Sequence, residues 1–471
     1  MTHYISTRGG AAPKNFEEVL LEGLAPDGGL YIPETWPVFE TKALERMAGQ
    51  SYAEVAAQVM TPFIGDCIDQ GDFKNILQKT YAGAVFDHVS VAPLSQLSSQ
   101  IWMMELHRGP TLAFKDVALQ LLGRLFDHVL TKNKTRVTIV GATSGDTGSA
   151  AIEACKACKN VDIFILHPKG RVSDVQRKQM TSVMADNVHN IAVEGTFDDC
   201  QALVKSMFND TDFRSQMNLS AINSINWVRI MAQIVYYFTS AVALGAPERK
   251  ISFSVPTGNF GNVYAAHCAR KMGLPIERLV VGTNRNDILT RFFETGEMKT
   301  NAVEPSLSPS MDIQISSNFE RYLFELLDGD AAKLTALMNA FKTTGQFKIS
   351  STLLEKAQRD FTAHRCSDEQ TLKMIQNCYQ ETAHRIDPHS AVALSGALAI
   401  SENTSAPIVA LACAHPAKFP DAVERAIGQR PQLPERLAGL MSLPERVTAM
   451  PNDLSTIQTF IRNSSHTGHR Q

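Results

Sequence analysis

The run Arg136-Val-Thr-Ile-Val-Gly-Ala-Thr-Ser-Gly-Asp-Thr-Gly-Ser-Ala-Ala-Ile-Glu-Ala-Cys155 puts a short β-branched segment directly before a glycine turn and an alanine-rich stretch. β-Branched residues favour extended backbone and alanine favours helix, so the order strand, turn, helix is written in residue type. The order recurs downstream. Val161–Leu166 is a second apolar run, and Ile251–Val255 precedes Pro256-Thr-Gly-Asn-Phe-Gly-Asn262 and a helix-like stretch over Val263–Met272. Leu279–Val281 and Ile408–Ala412 are further strand candidates. Strands alternating with helices predict an α/β class with parallel sheets flanked by helices. In such sheets ligands gather beyond the C-terminal ends of strands, which is where both glycine turns fall.

Upstream, residues 1–90 read as a small, partly helical N-terminal module. Ala11 to Gly23 passes from turn residues into an apolar-periodic run, and Pro26 with Gly28 and Gly29 breaks it. Ser51–Phe63 and Phe73–Lys79 suggest further short helices. Downstream, residues 312–339 and 371–386 look mainly helical, and the polar segment 451–471 reads as a fraying tail.

Composition narrows the class. The chain has 471 residues, enough for two or three domains, with 44% hydrophobic and 20% charged residues. That balance excludes a disordered chain. No stretch approaches the roughly 20 apolar residues a membrane span needs, and no apolar signal-peptide core follows Met1. The near-neutral formal charge of -3 argues against nucleic acid as a partner. Eight cysteines form no disulfide-rich pattern, which suits a reducing cytoplasm. Cys155 and Cys158 form one Cys-x-x-Cys pair, open to a metal or redox role or to plain packing on one helix face. His384 and His389, separated by Pro388, lack a clear third ligand and read as structural or surface residues.

Three segments carry candidate chemistry. In Leu106-His-Arg-Gly-Pro-Thr-Leu-Ala-Phe-Lys-Asp-Val117, Gly109-Pro110 stops the preceding structure and Thr111 is a candidate helix cap. Lys115 would then lie in the first turn beside Leu112, Ala113 and Phe114, where an unpaired charge is unfavourable and a neutral, nucleophilic amine is reasonable. The competing reading is a solvated ion pair with Asp116. The second segment, Gly141 to Gly148, offers hydroxyls and backbone N–H groups to a phosphate or a carboxylate, with Asp146 favouring the carboxylate. A tight capped turn with no ligand remains open for it. In the third, Gly258 and Gly261 let the backbone close around an anion such as a cofactor phosphate. A candidate nucleophilic lysine, two anion turns and a parallel sheet together suggest a phosphate-bearing aldehyde cofactor.

The chain resembles the threonine synthases of bacteria and fungi, in the fold type II (β-family) pyridoxal-phosphate enzymes. The resemblance runs through Tyr4-Ile-Ser-Thr-Arg-Gly9, Gly23 to Tyr31, the Lys115 segment, Ser144-Gly-Asp-Thr-Gly148, Asn223 to Tyr237, Pro256 to Asn262 and Ala414-His-Pro-Ala-Lys-Phe419. It implies a catalytic region over 91–450 made of two interleaved subdomains, with pyridoxal 5'-phosphate held covalently on Lys115. It implies that Gly258, Asn259, Phe260, Gly261 and Asn262 wrap the cofactor phosphate. It implies that Ser144, Gly145, Asp146 and Thr147 face the substrate or the ring edge, with Asn226 and Arg229 in a substrate-facing element. For Arg229 a solvated helix face is the alternative, and for His167, Lys169 and Arg171 a surface loop competes with a role near the substrate phosphate. Where the family pattern has Thr before Ala-His-Pro, this chain has Cys413, a weaker hydrogen-bond partner for the pyridine nitrogen. The implied reaction takes O-phospho-L-homoserine and water to L-threonine and phosphate by γ-elimination and then β-addition of water. A monomeric cytoplasmic enzyme is expected. A related lyase releasing 2-oxobutyrate and a scaffold that binds without catalysing are the alternatives.

Overall fold

The computed structural model describes residues 2–466. Two compact units divide it, and each is woven from separated stretches of chain. The first comprises the chain up to Val19, Leu24–Phe114 and Ser224–Pro431. The second comprises Leu20–Gly23, Lys115–Asn223 and the chain from Gln432 onward. The boundary expected at residue 90 is therefore not a boundary between these units.

The first unit is built on a six-stranded sheet. Its order is Thr362–Arg365, Ile276–Thr283, Ile251–Pro256, Ile408–Ala412, Ile101–Glu105 and Leu94–Gln96. All neighbours run parallel except the last pair. The central strands Ile251–Pro256 and Ile408–Ala412 are buried throughout, which explains their unbroken apolar runs. Helix Pro388–Ser401 packs on this sheet, joining Leu394, Ala397 and Ile400 to Val280, Ile408 and Ala410 in one core. The N-terminal helices belong to the same unit. Helix Tyr52–Ile64 starts at a capping box between Ser51 and Glu54, and its Phe63 packs edge-on against Trp227 with ring centroids 5.6 Å apart.

The second unit carries a fully parallel five-stranded sheet, in the order Thr448–Pro451, Val188–Glu194, Val161–Pro168, Val137–Ala142 and Leu219–Ser220. Its core joins Val140, Phe164, Leu166, Ile191 and Val193 of the strands to Leu203 and Met207 of helix Phe197–Asn209. The expected polar tail is corrected here. Thr448–Pro451 adds an edge strand, and Leu454–Ser464 forms a helix that is capped by Asp453 and buries Ile457 and Ile461. Two isoleucines four residues apart, with Leu454 and Phe460 packed beside them, dock this short polar helix on the core. The last part of that tail, residues 467–471, lies outside the described residues.

Candidate active site

Lys115 is the first residue of helix Lys115–Asn133, one turn later than a Thr111 cap would place it. Leu112 adopts a left-handed φ of 61°, so the chain makes a further bend before helix can start. Within the first unit this bend is tied down by the His415 segment. Phe114 N donates to Cys413 O at 2.8 Å, His415 N donates to Leu112 O at 3.0 Å, and the fully buried Lys418 ammonium donates to Thr111 O at 2.8 Å.

In the second unit Lys115 is 8% exposed and its Nζ lies 3.2 Å from Asp146 Oδ2. Beside the apolar neighbours read from the sequence, a carboxylate 31 residues downstream reaches the amine and gives it a buried partner. The other carboxylate oxygen, Oδ1, accepts a 2.8 Å bond from Gln176 Nε2. Asp146 also opens helix Asp146–Cys155, where the unpaired N–H groups favour negative charge.

The turn around Asp146 is satisfied largely from within. Thr143 Oγ1 accepts from Gly145 N and from Gly148 N, each at 2.9 Å. Ser144 is exposed and Thr147 half-buried. Gly145 has φ 142°, and a Cβ there would lie 2.4 Å from the Gln176 amide. The turn is therefore packed against helix Asp174–Thr181, which carries Gln176. Its hydroxyls stay available to a ligand, whereas the Gly145 and Gly148 amides do not.

The turn after Ile251–Pro256, in the first unit, is built the other way round. Its carbonyls are held: Ser316 Oγ donates to Gly258 O at 2.7 Å, and Asn318 donates to Asn259 O from both N (3.1 Å) and Nδ2 (3.0 Å). In a trans peptide the next N–H points opposite the carbonyl, so the amides of Asn259 and Phe260 face away from Ser316 and Asn318. Among the described residues, no amide from Gly258 to Gly261 donates to another protein group. Phe260, at φ 61°, hands the chain to helix Gly261–Lys271, whose N-terminus adds its own positive end. A Cβ at Gly258 would lie 2.9 Å from Ser310 O, so only glycine lets this turn sit so close to its support. Open, convergent donors without a carboxylate fit a phosphate dianion.

Asn262 lies in the first turn of that helix. Its Oδ1 accepts from Tyr236 and, at 2.8 Å, from Tyr237, while its Nδ2 is 3.8 Å from Cys413 Sγ. The first unit therefore brings Gly258–Asn262 together with Cys413, which lies 151 residues beyond Asn262. It adds the opening of helix Trp227–Ala243. Asn318 Nδ2 also donates to Ser224 O at 3.1 Å, so one amide ties the phosphate-type turn to the segment that precedes Asn226 and Arg229. Asn226 caps that helix through Val228 N at 3.1 Å.

Arg229 is not on a solvated face. It is 3% exposed, and neither its Nε nor its Nη1 has a hydrogen-bond partner. Burial pulls its guanidinium down to about 10. Arg321 shows what a structural arginine looks like. It is also buried, yet it donates to Tyr31 O, Asn318 and Ile225 O. A buried guanidinium with open donors suits a phosphate or a carboxylate.

Other expectations resolve more simply. His167 is buried with both ring nitrogens unpartnered, and burial lowers its basicity, while Lys169 pairs with Glu194 at the surface. Cys155 and Cys158 are buried free thiols, with Cys158 Sγ 3.3 Å from Gly123 O. No group of three ligating side chains suited to a metal occurs among the described residues. His389 is buried, 2.6 Å from Asp387, and its Nε2 accepts from Ser310 N at 3.3 Å, so it braces the segment that abuts Gly258. The supports Gln176, Ser316 and Asn318 were missed in the sequence because each acts on a residue tens of positions away.

Comparison with known proteins gives a consistent result over the whole chain. Residues 3–81 match the family model for the threonine synthase N terminus, 85–339 the pyridoxal-phosphate dependent enzyme model, and 390–461 the threonine synthase C-terminal model. A threonine synthase of Pseudomonas aeruginosa is 53% identical, covering 99% of both chains. The threonine synthase of Saccharomyces cerevisiae is 40% identical over 94% of each. The crystal structure of a threonine synthase from Brucella melitensis, described as bound to pyridoxal phosphate, superposes with a TM-score of 0.96 at 50% identity, covering 99% of this chain and 100% of that one.

Proposed function

The chain belongs to the threonine synthase family of pyridoxal-phosphate-dependent enzymes, and we propose that it converts O-phospho-L-homoserine and water to L-threonine and phosphate, with Lys115 as its catalytic amine. Its architecture is that of fold type II. The observation that carries the residue assignment is the buried Lys115 amine, positioned by Asp146 at 3.2 Å.

In this reading Lys115 holds the cofactor between turnovers, and the open amides from Gly258 to Gly261 take its phosphate. Cys413, whose Sγ lies 3.8 Å from Asn262 Nδ2, would meet the pyridine nitrogen, and a neutral thiol there would leave the ring without a forced proton. When bound, pyridoxal phosphate supplies the electron sink for negative charge at the substrate's Cα and Cβ. The chain's own groups do the rest. Lys115 takes the proton from Cα and shuttles protons at Cβ and Cγ, with Asp146 fixing where its amine sits. Arg229, with Asn226 at the same helix start, binds the substrate's anionic group, and its two unpartnered nitrogens support this role. Ser144 and Thr147 offer hydroxyls to the substrate's amino-acid end, and Gly145 lets Gln176 pack against the turn that carries them.

Eight free thiols support a cytoplasmic setting, and no helix among the described residues is long and apolar enough to cross a membrane. Action as a monomer completes the reading. The test offers O-phosphohomoserine to purified holoenzyme and measures threonine, 2-oxobutyrate and phosphate together. Threonine and phosphate in equal amounts are expected, and Lys115→Ala should lose both products and the cofactor's absorbance band. Release of 2-oxobutyrate in place of threonine, or full turnover by Lys115→Ala, overturns the proposal.

A further inference from the structure

We infer that Gln176 is a positioning residue for Lys115, acting through Asp146. The inference rests on the proposed role of Lys115. Lysine has a long, flexible stem, and a single carboxylate oxygen at 3.2 Å fixes its amine only if the carboxylate itself cannot turn. Gln176 supplies that restraint, since its Nε2 donates to Asp146 Oδ1 at 2.8 Å. An ionised carboxylate only accepts, so the amide nitrogen must face it.

Gln176 is fixed in turn. Its Oε1 lies 3.0 Å from Ser173 Oγ, and Ser173 caps helix Asp174–Thr181. That helix is anchored to the C-terminal segment. Glu445 accepts from Arg177 and, at 2.7 Å, from Thr181 Oγ1, and it lies 3.2 Å from Lys178. The Gln176 amide packs closely against Gly145, where any side chain would displace it. The contacts form one path inside the second unit, from Glu445 through the helix to Gln176, Asp146 and Lys115.

The charged groups that bear on Gln176 come from several elements. Lys115 and Asp146 lie on one side, and Asp174, Arg177 and Lys178 are on its own helix. Glu445 pairs with two of these from the C-terminal segment. His167, on the strand Val161–Pro168, has its basicity lowered chiefly by burial, with the charge of Arg177 adding to this and a backbone contact at Pro168 opposing it. Asp146 thus meets the Lys115 amine on one oxygen and the Gln176 amide on the other.

Two variants separate positioning from packing. Gln176→Glu keeps the shape but replaces the donor with an acid, which can donate to Asp146 only while it holds its proton. Gln176→Met removes the donor at every pH. Cofactor-free protein is mixed with pyridoxal phosphate from about pH 6 to about pH 9, the range around neutrality in which an introduced buried carboxyl titrates. Uptake is followed by absorbance, and borohydride reduction with mass spectrometry locates the modified lysine. The Gln176→Met rate should be about tenfold below wild type throughout, as expected for loss of a hydrogen bond to a charged group. The Gln176→Glu rate should be near wild type at the acid end and about tenfold lower at the alkaline end. A Gln176→Glu profile that matches wild type throughout, or a uniform loss equal to that of Gln176→Met, overturns the inference and leaves Lys115's role intact. Wild-type modification at a lysine other than Lys115 overturns both.

Discussion

Two glycine turns follow parallel strands in this chain, and as sequences they promise the same thing: hydroxyls, small residues and backbone donors around an anion. The structure separates them. After Val137–Ala142, Thr143 occupies the Gly145 and Gly148 amides itself, and Asp146 brings a carboxylate to Lys115. After Ile251–Pro256, the support comes from outside the turn. Ser316 and Asn318 hold carbonyls, and the amides are left pointing the other way. A glycine turn is thus an anion cradle only when something else holds its oxygens. When its own threonine holds its nitrogens, it becomes a mount for a side chain.

The contrast can be broken most sharply at Gly258. A methyl group there meets the Ser310 carbonyl at 2.9 Å and must push the turn out of line. Gly258→Ala should weaken cofactor binding about a hundredfold, the cost of an ångström-scale displacement, as measured by equilibrium dialysis of pyridoxal phosphate. Retention within a few-fold would mean that the open amides do not hold the phosphate.

A smaller effect is expected at Arg229, which extends the open turn's logic to a side chain. Arg229→Met should raise KM for the phosphorylated substrate about thirtyfold or more. Because the guanidinium is buried without full pairing, the same change should leave the thermal midpoint at or above wild type. A lower midpoint with unchanged KM would make Arg229 structural, like Arg321.

The least effect on binding belongs to the closed turn. Thr143→Val strands two buried N–H groups and should cost about 2 kcal/mol in urea unfolding. Cofactor affinity should change no more than about twofold, on the scale of a surface substitution. A large loss of affinity with no loss of stability would erase the distinction between the two turns.

What the sequence made legible was local. Strand, turn and helix around residues 136–155 and 251–272 follow from residues in sequence contact, and they appear within a residue or two of their expected bounds. The helix start at Lys115 was missed by one turn because the left-handed Leu112 depends on the His415 segment, about three hundred residues away. Asn318 could not be read as a support, since nothing near it in sequence names Asn259 or Ser224 as its partner. Thr448–Pro451 lacks a strand pattern of its own and is extended because Val188–Glu194 offers it an edge. Arg229 did carry a usable signal. Trp227 to Tyr237 is almost wholly apolar, and an arginine in a helix that is apolar all round is either paired inside or held for a ligand.

The edge strand Thr448–Pro451 also orders events during synthesis. A ribosome delivers the four other strands of that sheet long before it delivers the one that closes its side. Until Thr448–Pro451 follows, Val188–Glu194 carries an open hydrogen-bonding edge, the feature by which nascent chains pair wrongly with one another. Completion of the lysine-bearing unit thus waits for the chain to pass through Ser224–Pro431, which belongs to the other unit.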